Sequence, residues 1–185
     1  RSVEMAKKYN VNLEVVSSLE RVPGTKVKEV IKVEKMLIRG VTSDKNVARI
    51  SIMELPDSPG IAFKIFSALA SRRIDVDIIL QSIGRNNTKD ISFTVSKDNK
   101  DLAIEVLHSV IPNASVTCND QISKVSIVGA GMQSNPGVAA KMFEALADAN
   151  INIQMISTSE IKLSVLIDQK DTDRAVQVIH EAFIG

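Results

Sequence analysis

The chain has 185 residues, 44% of them hydrophobic and 24% charged, the proportions of a globular protein with room for one large domain or two small ones. Lys and Arg number 23 against 22 Asp and Glu, and this near-neutral balance excludes the electrostatic footprint of a nucleic-acid or anionic-membrane binder. With 3% aromatic residues, no Trp and one cysteine, Cys118, the composition also excludes stacking platforms for single strands, an intrachain disulfide and a cysteine-based zinc cluster.

No apolar run approaches the ~20 residues of a membrane-spanning helix. The charged start Arg1-Ser2-Val3-Glu4 lacks the apolar stretch of a secretion signal. A start at Arg1 implies a piece of a longer frame or a processed product, and the setting expected is the reducing cytoplasm. Val3, Met5, Ala6 and Tyr9 predict a short helix, residues 12–17 a strand and residues 20–29 a charged linker. Such a segment is too small to bury a core alone, so it is expected to pack on the rest or to be the edge of a further domain.

Lys35, Met36, Leu37, Ile38 and Val41 then form an apolar strand with no evident partner. Alternating apolar positions over 47–55 predict a half-buried strand. Asp57 and Ser58 offer an N-cap and Pro59 a first-turn proline. Ile61, Ile65, Phe66 and Leu69 recur at helical spacing as far as Arg72. Strands follow over 76–83 and 91–95, parted by the turn-rich Gly84-Arg85-Asn86-Asn87. Leu102, Val106 and Leu107 mark a second helix ending before Pro112, and residues 114–118 a last short strand.

The same pattern then repeats. Pro59, Gly60, Ala62, Lys64, Phe66, Ala68, Leu69 and Ala70 return as Pro136, Gly137, Ala139, Lys141, Phe143, Ala145, Leu146 and Ala147. Residues 74–79 return at 151–156, and 103–108 at 175–180. A unit of about seventy residues is therefore duplicated, too long for a solenoid repeat. Each copy reads β-α-β-β-α-β, the ferredoxin-like order, so the class is α+β. The second copy reaches Gly185 one strand short. The economical solution is that the apolar strand near Ile38 completes its sheet, with the first unit inserted between, because an unfilled edge invites aggregation. The expected organisation is a leading segment over 1–32, a first domain over 47–119, and a second over 33–46 plus 120–185.

Catalytic chemistry finds little support. Gly129-Ala130-Gly131 lacks the third glycine of a dinucleotide fingerprint, and no Gly-x4-Gly-Lys phosphate loop occurs. His108 and His180 repeat with their helix, as inherited surface or packing residues. Cys118 has no local group to activate it, and Ser82 and Ser159 have no nearby His. No catalytic residue, metal site or cofactor is assigned to this chain. A better candidate is the loop before the first helix of each unit, Asp57-Ser58-Pro59-Gly60-Ile61-Ala62 and Ser134-Asn135-Pro136-Gly137-Val138-Ala139. Free N–H groups and the positive end of the dipole there suit a carboxylate, Gly permits close approach, and Asp57 suits an ammonium group. Those features fit a free α-amino acid, but Asp and Asn are routine caps and Pro is routine just inside a helix, so on these residues alone the ordinary helix start is the stronger reading. A second polar cluster joins Asp75, Asp77, Gln81 and Ser82 with Asn152, Gln154, Thr158, Ser159 and Glu160. It reads as a place where a ligand side chain is distinguished, or as a solvated sheet edge.

Asp57-Ser58-Pro59-Gly60 opening a helix in such a unit resembles ACT domains, small amino-acid-sensing modules. The run Lys124-Val125-Ser126-Ile127-Val128-Gly129-Ala130-Gly131-Met132 with Pro136-Gly137-Val138 resembles the paired ACT domains of aspartate kinase. So does Asn152-Ile153-Gln154-Met155-Ile156-Ser157-Thr158-Ser159-Glu160-Ile161. Gly40-Val41-Thr42-Ser43-Asp44-Lys45 and Leu80-Gln81 also fit, and residues 1–11 resemble the last helix and strand of the kinase domain. That family's Lys-Phe-Gly-Gly-Thr nucleotide-binding signature does not occur here.

The resemblance implies a regulatory portion, either a β subunit or a fragment, inactive alone in phosphoryl transfer from ATP to L-aspartate. ATP and Mg would belong to the kinase domain or catalytic α subunit. It further implies a homodimer in which the first ACT domain of one chain packs on the second of the other. L-lysine, L-threonine or both would bind at that interface and inhibit the kinase. The implied contacts are Asp57, Ser58, Pro59, Gly60, Ile61, Ala62, Asp75, Val76, Asp77 and Gln81 in the first unit. In the second they are Val138, Ala139, Asn152, Ile153, Ser159 and Glu160. Asp57 would take the ammonium and the backbone after Gly60 the carboxylate, while Gln81, Asn152 and Glu160 would discriminate the side chain. Ala139 departs from relatives that carry Thr. The alternatives are an ACT-type regulatory subunit of another amino-acid biosynthetic enzyme, and a dimerisation module that senses nothing.

Overall fold

The computed structural model describes residues 6, 11, 13–16, 25–27, 37–83, 87–130 and 137–184. They fall into two compact units, Arg1–Lys35 and Met36–Gly185.

In the smaller unit, β1 (Leu13–Val15) and β2 (Thr25–Val27) form an antiparallel ladder, with Leu13 opposite Val27, Glu14 opposite Lys26 and Val15 opposite Thr25. Its second strand lies in the stretch expected to be a charged linker. The backbone ladder between the two strands outweighs the charged composition there. Of the helix expected around Val3 to Tyr9, Ala6 is described and is helical, and the Val11 N–H donates to its carbonyl at 2.9 Å. The rest of that expectation lies outside the described residues.

The larger unit runs β3 (Leu37–Pro56), α1 (Ile61–Ser71), β4 (Ile79–Ile83), β5 (Thr88–Val95), α2 (Lys100–Val110), β6 (Ser115–Ala130), α3 (Val138–Asp148), β7 (Met155–Thr158), β8 (Lys162–Asp168) and α4 (Thr172–Phe183). The strands form one six-stranded antiparallel sheet in the order β4-β5-β3-β6-β8-β7.

Two strands of unusual length hold the design together. β3 has 20 residues and β6 has 16, against ~5–6 for a common strand. The sequence pattern split each into two short strands; in the fold each is continuous, because each serves both repeats. The second half of β3 pairs with β5 and with the start of β6, giving the first ferredoxin-like sheet. Its first half, from Leu37 to Asp44, pairs with Lys124 to Ala130, and β6 continues to β8 and β7. The N-terminal strand thus completes the second sheet, as expected from the missing strand. The expected boundaries at 46/47 and 119/120 fall inside these strands, where the register shifts, and the one at 32/33 lies outside the described residues.

Those shifts matter. Val41 packs on the second core and Ile50 in the first, yet they are an odd number of residues apart and would face opposite sides of an unbroken strand. β3 carries one extra residue between Asp44 and Val47, and β6 one between Asn119 and Ile122. Each bulge restores the phase of its own strand, so both cores form on one side of the sheet.

The first core centres on Ile50, Ile52, Ile65, Leu69, Ile91, Phe93 and Leu107, with Phe66 edge-on to Phe93 at 5.5 Å. The second centres on Val125, Ile127, Met142, Leu146, Val165, Ile167 and Ile179. A third, small cluster of Val47, Ile78, Ile122, Met155 and Leu166 draws on both repeats.

Candidate functional site

The site grows from how α1 and α3 begin. Asp57 and Ser58 do not cap α1: the helix starts at Ile61, after Gly60 at φ 93°, with no side-chain cap. Gly137 does the same for α3 at φ 101°. A Cβ on either glycine would meet nothing within 4 Å, so what demands glycine is the left-handed backbone and not space. The first helical bonds run from the Lys64 N–H to the Gly60 carbonyl and from the Lys141 N–H to the Gly137 carbonyl, both at 2.9 Å. The amides just ahead of them have no partner within the helix, and they lie at the positive end of its dipole.

Asp57 is tied instead to the β4–β5 hairpin. Its N–H donates to the Asn87 carbonyl at 2.8 Å, and its half-exposed carboxylate lies 2.9 Å from the Lys89 ammonium. Just upstream, Glu54 adopts φ 57° and donates its N–H to the Asp90 carboxylate at 2.9 Å, which bends the end of β3 into the loop. Ser58, Pro59 and Gly60 are exposed, and Ile61 and Ala62 half-buried against the first core. The equivalent Ser134, Asn135 and Pro136 lie outside the described residues.

Asp75, Val76 and Asp77 join α1 to β4 and line an open cleft of about 500 Å³ with Asp44, Asn46, Val47, Thr94, Val95, Ser96 and Lys124. The backbone here is held by Thr94. Its carbonyl accepts from the Asp77 N–H at 3.1 Å, and its hydroxyl oxygen accepts from the Ile78 N–H at 3.0 Å. The Lys124 ammonium sits 2.5 Å from Asp77 and 3.5 Å from Asp44. Sequence reasoning gave Lys124 and Asp44 places in motifs but no role, and it passed over Thr94 and Lys89. The partners of these four residues lie far along the chain, so no local spacing marks them.

In the second unit Val138 is buried, Ala139 and Ile153 pack on the second core, and Asn152 and Glu160 are exposed. Ser159 closes its own hairpin: its N–H and hydroxyl both donate to the Lys162 carbonyl, at 2.7 and 3.2 Å. Gln154 bridges Asp168 and Asn119. Gln81 on β4 and Ser159 beyond β7 stand at opposite edges of the sheet, with four strands between them. A single chain therefore does not bring these two together, whereas Ile78 and Met155 share one cluster.

Away from the loops, Lys100 pairs with Asp120. That hydrogen bond holds the Asp120 carboxyl below its ordinary pKa and the Lys100 ammonium above its own. Burial, and then the Asp120 charge, push the nearby Cys118 thiol up. Among the described residues no three His, Cys, Asp or Glu side chains are grouped to hold a metal, and no helix is long and apolar enough to cross a membrane.

Comparison with known proteins identifies the family of the fold. The sequence matches the ACT domain over residues 50–111 and again over 125–183. It is similar to the aspartate kinase of Pseudomonas fluorescens (strain SBW25), at 45% identity over 188 residues covering 99% of this chain and 46% of that protein. The chain thus spans about half the length of the curated relatives it matches. The ligand-free regulatory subunit of aspartate kinase from Thermus thermophilus superposes with a TM-score of 0.76 at 42% identity, covering 80% of this chain and 99% of that one. A structure of aspartokinase α and β subunits matches at 48% identity and a TM-score of 0.72, covering 79% and 98%. Two ACT units, sharing long strands and matched along nearly the full length of a regulatory subunit, assign the chain to the ACT-domain family as the tandem regulatory portion of an aspartate kinase.

Proposed function

We propose that this chain senses L-lysine, L-threonine or both, and relays their binding as feedback inhibition to an aspartate kinase catalytic domain or α subunit. The observation that carries this reading is the start of α1. After Gly60 the first amides of α1 have no partner within the helix, and the half-exposed Asp57 carboxylate, paired with Lys89, stands three residues upstream, which offers one end for a carboxylate and one for an ammonium group. Asp57, Ser58, Pro59, Gly60, Ile61, Ala62, Asp75, Val76, Asp77 and Gln81 form the first half of the site. Val138, Ala139, Asn152, Ile153, Ser159 and Glu160 of a second copy form the other half. Two copies are needed because Gln81 and Ser159 lie at opposite sheet edges. Those edges carry the exposed side chains of Ile79, Leu80 and Ile156 and suit pairing between chains. The catalytic partner, with ATP and Mg, performs the phosphoryl transfer in the cytoplasm. The relatives named for aspartokinase α and β subunits support that division.

The exposed apolar edges alone also suit a dimerisation module that binds no amino acid. Calorimetric titration with L-lysine, L-threonine and their mixture, with L-methionine as control, separates the two. Saturable binding of lysine or threonine is expected, and mutual enhancement identifies concerted regulation. Silence toward both leaves the dimerisation module.

A further inference from the structure

We infer that Lys124 is a positioning residue for the amino-acid site, tethering the segment from Asp75 to Asp77 to the strand that both ACT units share. This rests on the sensing reading above, and it adds the residue that makes the site felt beyond the first unit.

Lys124 lies on β6 between the two halves of the tandem. Its side chain is only 14% exposed, and its ammonium is held between carboxylates from two directions, Asp77 after α1 and Asp44 on β3. Asp44 is directly opposite Lys124 in the β3–β6 ladder, next to the register shift. Immediately beyond Lys124, Val125 and Ile127 enter the second core. The α1–β4 segment is thus held at two points. Thr94 fixes its backbone to β5 of the same unit. Lys124 fixes its carboxylate to the central strand of the other unit.

A ligand that draws on the Asp77 carboxylate competes with the Lys124 ammonium for it. Occupancy then changes the load on β6, and coupling between the units follows from that differential contact. Without Lys124, Asp44 and Asp77 are left facing one another with like charges, and the segment is pushed from its place.

The test is calorimetric titration of the purified chain, wild type and variants, with L-lysine and with L-threonine. Lys124→Met is expected to weaken binding by roughly fivefold or more. Lys124→Arg, which keeps the charge between the two carboxylates, is expected to stay within about threefold of wild type. If Lys124→Met fails to fold, Lys124→Gln removes the charge with a polar replacement and reads the same tether. A variant that loses thermal stability but keeps wild-type affinity overturns this assignment and leaves the sensing reading intact. Wild type silent toward both amino acids overturns the sensing reading, and this assignment with it.

Discussion

The two ACT units agree in backbone and disagree in charge. Gly60 and Gly137 open their helices in the same left-handed conformation. Arg73 and Asn150 close them at φ 57° and 54°, after which the Ile74 and Ile151 N–H groups reach back to the Leu69 and Leu146 carbonyls. Gly, Leu and Ile recur at the positions that open and anchor this frame in both copies, while Arg73 is matched by Asn150 at its left-handed close. The residues that look out of it differ: Asp57, Asp75 and Asp77 correspond to Ser134, Asn152 and Gln154. Asp77 makes an ion pair with Lys124, while Gln154, itself uncharged, accepts from Asn119 and donates to the Asp168 carboxylate. One frame therefore carries two different residue sets, carboxylates at 57, 75 and 77 in the first unit and uncharged side chains at 134, 152 and 154 in the second; on the proposed reading the first takes an ammonium group and the second, with Glu160, reads a side chain.

Core deletions at equivalent positions test whether the shared frame is also one folding unit. Leu69→Ala and Leu146→Ala each remove a fully buried side chain, and each is expected to cost about 2–5 kcal/mol. Because β3 and β6 run through both units, both variants should lower the midpoint of a single denaturant transition followed by circular dichroism. Two separated transitions would break the comparison at its base.

The helix starts come next. Gly60→Ala and Gly137→Ala impose a Cβ on a left-handed backbone, at about 1–2 kcal/mol each by chemical denaturation. A cost in one unit only would show that the two frames are not equivalent.

The charge asymmetry is sharper in binding than in stability. Asp57→Asn is expected to weaken L-lysine or L-threonine roughly tenfold by calorimetry, about 1.4 kcal/mol. Asn152→Ala, a neutral contact, is expected to cost less. Equal losses would remove the distinction between an ammonium-taking half and a side-chain-reading half.

The smallest effect lies outside both half-sites, at Lys100 and Asp120. Asp120 has its carboxyl lowered from 3.8 by the Lys100 hydrogen bond, so its contribution is present above that ordinary value and lost as pH falls through the lower folded one. Lys100 is raised from 10.5, so its share is present below that value and lost as pH rises through the higher folded one. Asp120→Asn should slightly flatten the acid limb of the stability profile measured by thermal melts. It should also speed alkylation of Cys118, whose thiol the Asp120 charge pushes up.

The duplication, the four helices of the larger unit, the α+β class and the borrowed strand were all legible in the amino-acid order. Helix and strand periods are local, and a repeat carries its own alignment. The loop at Asp57 was legible as a place of interest, but its geometry was not. Asp-x-Pro-Gly reads as a cap followed by a helix, whereas the left-handed Gly60 delays the helix and sends Asp57 to Lys89. Tertiary structure alone decided three things. It fused pairs of short strands into β3 and β6, because a strand continues wherever partners on both sides supply hydrogen bonds. It placed a bulge in each, because both cores must fall on one side of the sheet. And it set Lys124 between Asp44 and Asp77, residues far apart in the chain that meet only when the shared strand is built. Periodicity speaks for neighbours along the chain; ion pairs and strand continuity are settled by neighbours across it.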